Sequence, residues 1–121
     1  MLFSELKHKA AHLLRGESAE QQACQFLVKH GLKLVTRNFR CKQGELDLVM
    51  YDQQTLVIVE VRFRQTDKYG SALESVTRSK QSRIMAATQI YLSKHKINSA
   101  IRFDVVALSA NNQIDWIKNA F

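Results

Sequence analysis

Residues 44–64 read GELDLVMYDQQTLVIVEVRFR, two apolar strand-like runs that each carry one carboxylate, Asp47 in the first and Glu60 in the second. An acid in the middle of LVIVEVRF is costly to bury unless positive charge meets it. Arg62, two residues further on, offers one such charge. A divalent ion offers another, because hard cations prefer carboxylate oxygens. Two acids converging from neighbouring strands therefore form a candidate cation site, and a phosphate arriving there would complete the ion's coordination shell.

The elements that must position these groups are legible in the alternation of the two runs. Strand side chains alternate between faces, which places Glu45, Asp47 and Val49 on one face of the first run and Leu46, Leu48 and Met50 on the other. In the second run Glu60 and Arg62 share a face with Leu56 and Ile58. A hairpin centred on Gln53-Gln54 sets Asp47 opposite Glu60, and Glu45 opposite Arg62; a slip of one residue would destroy that register. Directly opposed residues have Cβ atoms about 5 Å apart, so the two acids repel. A shared proton would relieve the repulsion by raising one pKa. So would a structural ion-pair network of Glu60, Arg62 and Glu45, and so would Mg²⁺ or Mn²⁺ bridging both acids. The pattern by itself leaves these three open.

The rest of the chain narrows the setting. Its 121 residues fit one domain, 1–121, with no proline, repeat or low-complexity tract. The formal net charge of +7 favours a polyanion partner. No acid lies between Glu20 and Glu45 or between Glu74 and Asp104, so bases flank the carboxylates in sequence. No apolar run approaches the roughly 20 residues of a membrane helix, and no basic stretch has the aromatic-anchored apolar face of a membrane-surface helix. The N-terminus lacks a long apolar segment and reads as part of the mature protein. Cys24 and Cys41 sit in no metal spacing and read as free thiols of a cytoplasmic protein. Helices are expected over the first 15 residues, from Ser18 to His30 with Ala19, Ala23, Phe26 and Leu27 inward, and over 76–96 with Ile84, Ala87, Ile90 and Tyr91 inward. Strands are expected at 32–39, 44–51, 55–64, 101–108 and 114–117, the last two joined at Asn111-Asn112, and QTDKYGSALES reads as a loop. The class is α/β, a mixed sheet with helices packed on it.

The helical Glu20, followed by GELDLV at 44–49, IVEVRFR at 58–64, SVTRSKQ at 75–81, RFDVVAL at 102–108 and the ending IDWIKNAF, resembles the YraN-like family of small bacterial proteins over nearly the whole chain. That family in turn resembles the PD-(D/E)XK nucleases, particularly archaeal Holliday-junction resolvases, whose pattern is a helical Glu, a strand Asp and an acid-x-Lys on the next strand. The resemblance implies a restriction-endonuclease-like core. It also implies that Glu20, Asp47 and Glu60 hold Mg²⁺ (or Mn²⁺) beside a scissile phosphate, with Arg62 in the place of the lysine. Arginine stays protonated at any workable pH, so Arg62 can neutralise phosphate charge but cannot act as a general base. Ala19 stands where relatives commonly have glycine, and Glu45 is an additional or outer ligand.

The expected function is metal-dependent phosphodiester hydrolysis on nucleic acid, DNA favoured. The alternatives are a nucleic-acid-binding module that keeps the fold without catalysis, and a protein–protein scaffold. Arg40, Lys42, Arg64, Arg78, Lys80 and Arg83, with Gln81, are the expected phosphate contacts. Resolvases of this type act as dimers, which makes a homodimer one expectation. The four histidines form no ligand set, and Trp116 reads as core or interface.

Overall fold

The computed structural model describes residues 18–64 and 76–121. The expected first helix and the expected loop at 65–75 lie outside them. Helix α1, described over residues 18–29, turns Ala19, Ala23, Cys24 and Leu27 inward. It ends at Gly31, whose φ of 97° is open to glycine at no steric cost. The closing bond runs from Leu32 N–H to the Leu27 carbonyl (3.0 Å), the six-to-one pattern of a left-handed helix stop.

Strands β1 (Lys33–Cys41), β2 (Gly44–Asp52) and β3 (Thr55–Arg64) follow, then helix α2 (Arg78–His95), then β4 (Ile101–Ser109) and β5 (Ile114–Ile117). They form one five-stranded sheet in chain order. Only the β3–β4 pair is parallel, the other three being antiparallel. Parallel neighbours need a crossover, and α2 lies within it. The sheet carries a core on each face. Leu48, Met50, Val57, Val59, Val106 and Leu108 pack with α1, while Val49, Leu56, Ile58, Val105 and Ala107 pack with Ile84, Ala87 and Tyr91 of α2. This is the mixed α/β architecture the sequence predicts. Among the described residues, no helix is long and apolar enough to cross a membrane.

The β2–β3 register is the one expected. Asp52 faces Thr55 across Gln53-Gln54, and the pairing runs back through Leu48 opposite Val59. Gln53 makes the tight turn by adopting φ 55°.

Two expectations fail for physical reasons. Leu46 lies in the α2-side core with Val49, not with Leu48. The pairs Arg37–Leu48 and Phe39–Leu46 bracket Asn38 and Asp47. Asn38, on the β1 side of that step, has φ 56°. Asparagine tolerates this left-handed conformation better than other residues with a Cβ. On α2, Ile90 is 39% exposed and Thr88 is buried in its stead. Thr88 can replace an apolar residue because its hydroxyl donates to the Ile84 carbonyl one turn back (2.7 Å).

Candidate functional site: paired carboxylates beneath the α2 N-terminus

The Cα pairing of β2 with β3 stops one step short of Asp47 and Glu60. The strands part there, and the Asp47 side chain fills the gap: Val61 N–H donates to Asp47 Oδ2 at 2.9 Å. The Glu60 carboxyl lines the same cavity as Asp47. Burial, first, and the neighbouring Glu60 charge, second, push the Asp47 pKa up to about 8, against the opposing pull of the Val61 N–H. The shift favours the protonated form of Asp47, the direction in which the first of the three ways out of the repulsion works.

Glu60 is only 5% exposed, and an uncompensated charge at that depth would be strongly destabilising. Two cations answer it. Lys80 Nζ lies 3.0 Å from Glu60 Oε1, and Arg62 Nη1 lies 3.8 Å from the same oxygen. Lys80 comes from the first turn of α2, where Thr77 caps the helix by accepting from the Lys80 N–H (3.2 Å). A helix dipole favours acids in that turn and disfavours bases, yet the turn holds none. The dipole cannot account for the position of Lys80; the Glu60 carboxylate can.

Glu20 approaches from α1. With its amide nitrogen turned toward Glu20, Asn38 donates to both carboxylate oxygens (3.2 and 3.1 Å). Burial raises the Glu20 pKa, while the Asn38 bond and the Arg37 charge work in the other direction. Glu20 feels the Glu45 and Glu60 charges and is felt by Asp47. Even so, the described residues contain no group of three or more His, Cys, Asp or Glu side chains gathered as a ligand set. Asp47 feels the Glu60 charge more strongly than that of Glu20, which couples to the pair through its field.

A cavity of about 400 Å³ opens over this pair. One wall is the β1–β2 hairpin, with Arg40, Cys41, Gly44 and Glu45; the other is α2, with Lys80, Arg83 and Ile84. Of the bases expected to meet phosphate, Arg40, Lys80 and Arg83 thus reach the cavity. Lys42, Arg64 and Arg78 do not line it. The expected opposition of Glu45 and Arg62 is absent, because the strands have already parted; Glu45 instead pairs with Arg40 (3.5 Å) across β1–β2.

Gly44 sets the spacing of the two walls. A Cβ there would lie 2.8 Å from the Arg83 carbonyl oxygen and 3.2 Å from its carbon. Both are helix backbone atoms, which cannot swing aside. Gly44→Ala is therefore expected to push α2 off the hairpin and to lower stability by roughly 1–3 kcal/mol, the usual range for overpacking. Urea unfolding of the variant beside the parent protein measures it.

Sequence reasoning missed Asn38, whose role depends on a left-handed φ that no periodicity signals. It also missed Asp104. That residue is a lone acid inside IRFDVVAL, the same signal that singles out Glu60 in LVIVEVRF.

A mixed sheet with a helix on each face, and an acid pair walled by bases where a hairpin opens, define a small α/β protein with a built, charge-paired pocket. The chain belongs to the uncharacterised protein family UPF0102, whose pattern matches residues 19–108, the stretch that carries Glu20, Asp47, Glu60, Arg62 and Lys80. This is the YraN-like family that the sequence resembles. The chain is 51% identical over 114 residues to a UPF0102 protein of Saccharophagus degradans, spanning 93% of this chain and 96% of that one. It is 47% identical over 112 residues to a UPF0102 protein of Herminiimonas arsenicoxydans, spanning 93% and 90%. With a UPF0102 protein of Coxiella burnetii strain RSA 331 it shares 47% identity over 107 residues, spanning 87% and 89%.

Proposed function

We propose that the protein is a nuclease-like enzyme that hydrolyses phosphodiesters on DNA with the help of Mg²⁺ or Mn²⁺, on a core of the restriction-endonuclease type. The observation that carries this reading is that Asp47 and Glu60, acids of adjacent strands, line one cavity together with Arg40, Lys80 and Arg83, where a cation could sit among bases able to meet phosphate. That donor set fits a hard divalent ion. When bound, the ion supplies Lewis-acid activation of water and stabilises charge on the phosphate.

The remaining work falls to the chain. Val61 N–H fixes the rotamer of Asp47. Asn38 holds Glu20 by donating to both of its carboxylate oxygens. Arg62 stays charged throughout and offsets phosphate charge without taking part in proton transfer. Arg40 and Arg83 border the same cavity and would neutralise the flanking phosphates, giving affinity that weakens as salt rises.

A second reading is favoured by Arg62 and by the absence of a three-residue ligand set among the described residues: a nucleic-acid-binding module without catalysis. Calorimetry with Mg²⁺ and Mn²⁺, followed by cleavage assays on branched, single-stranded and duplex DNA, separates the two. The enzyme reading expects metal-dependent cleavage that Glu60→Gln lowers by more than about a hundredfold, beyond what loss of a group merely supporting a ligand costs. Salt-sensitive DNA binding with no metal uptake and no cleavage would establish the module instead.

A further inference from the structure

We infer that Lys80 is an internal cation for the acid pair: its ammonium occupies Glu60 until a divalent ion displaces it, and displacement turns the ammonium toward the cavity, where it meets phosphate. The inference rests on the proposed cation site and adds a device that couples ion binding to substrate binding.

Four observations carry it. Glu60 is nearly fully buried and needs a counter-charge. The shortest one supplied is Lys80 Nζ, at 3.0 Å from Oε1, whereas Arg62 stands at 3.8 Å. Lys80 sits in a helix turn that repels it, so its position is set by Glu60 and not by its own helix. Finally, its side chain is 36% exposed at the border of the cavity shared by Asp47, Glu60, Arg40 and Arg83, so it has somewhere to go.

The chemistry of the two bases differs in the way the device requires. An ammonium on a flexible four-carbon stem is a compact point charge that can exchange one partner for another. An ion bound to Glu60 brings a second positive charge beside the ammonium on Oε1, and the two repel, so each weakens the other. By reciprocity, whatever frees Lys80 favours the ion to the same degree, and phosphate that captures the freed ammonium tightens ion binding.

The test uses the full chain and Mn²⁺ alone, titrated by calorimetry into the parent protein, Lys80→Gln and Lys80→Arg, with thermal melting of each to confirm folding. Because the Lys80 side chain is one-third exposed, Lys80→Gln is expected to fold; Lys80→Met, which keeps most of the stem, serves if it does not. Removing the competing charge should tighten Mn²⁺ binding by about tenfold, the weight of one ion pair, while Lys80→Arg stays close to the parent. In the parent, Mn²⁺ should also strengthen the binding of inorganic phosphate, and in Lys80→Gln it should do so much less. Mn²⁺ affinity that is unchanged or weakened in Lys80→Gln overturns the exchange while leaving the cation site standing. Mn²⁺ binding to none of the proteins overturns both.

Discussion

Replacing Asp47 with asparagine is expected to make the protein more stable at and above neutral pH, and inactive at the same time. The sign follows from linkage. The Asp47 pKa is raised from 3.8 to about 8 in the folded protein, so between those values the folded state holds a proton that the unfolded chain has released. Stability then falls as pH rises through the window, and the penalty is complete above about 8. Asp47→Asn cannot ionise, so it escapes that penalty. The variant should show a flatter profile of melting temperature against pH. Above neutrality it should gain roughly 1–3 kcal/mol, the ordinary span for relieving an ill-placed buried charge. Metal uptake and cleavage should vanish in the same protein. A parent whose stability, relative to Asp47→Asn, climbs from pH 5 to pH 8 would rule out a proton held between the two acids. The opposition of stability and activity in one residue is what distinguishes a working acid pair from a structural one, since losing a structural partner destabilises.

The opposite behaviour is expected at Asp104. This residue is fully buried in β4, and four donors converge on it. Arg102 contributes Nε and Nη2 (2.9 and 3.0 Å), Trp116 its indole N–H (2.9 Å), and Asn119 its backbone N–H (3.0 Å). Arg102 also reaches Asp52 at 3.0 Å, which ties the β2–β3 turn to the start of β4. Asp104→Ala leaves the indole N–H and the Asn119 N–H without their acceptor and Arg102 with Asp52 alone, and should cost about 3–5 kcal/mol, the range for breaking a buried pair from one side. Equilibrium urea unfolding measures it, and added salt should not restore the loss because the pair is screened from solvent. A cost below about 1 kcal/mol would mean that the network is no more than a surface ion pair.

The contrast between these two acids shows what the chain discloses unaided. The β2–β3 register was readable because the connection is short, both strands are apolar and a one-residue slip would turn the cores outward. Strand β3 and its inward acid emerge at the expected positions. The Leu46 face was not readable, since it lies past Leu48, where the pairing of β2 with β3 ends and period-two alternation no longer holds. Nor was the partner of Lys80. Composition marks that lysine as a base near a helix start, and a base in such a place suggests phosphate. Its actual neighbour depends on how α2 lies across β3, which the close approach at Gly44 helps to fix. Asp104 was within reach: it lies two residues after Arg102, as Glu60 lies two before Arg62, and the argument from a solitary acid in an apolar run applies equally to both.

The bond from Val61 to Asp47 has a spectroscopic consequence. An amide that in an unbroken hairpin would face a neutral carbonyl here faces a group that changes charge. The nitrogen and proton resonances of Val61 should therefore move when Asp47 loses its proton, and move again when a cation takes the proton's place. The sheet thus carries its own gauge of what occupies the acid pair, one that can be read on 15N-labelled protein without substrate or turnover.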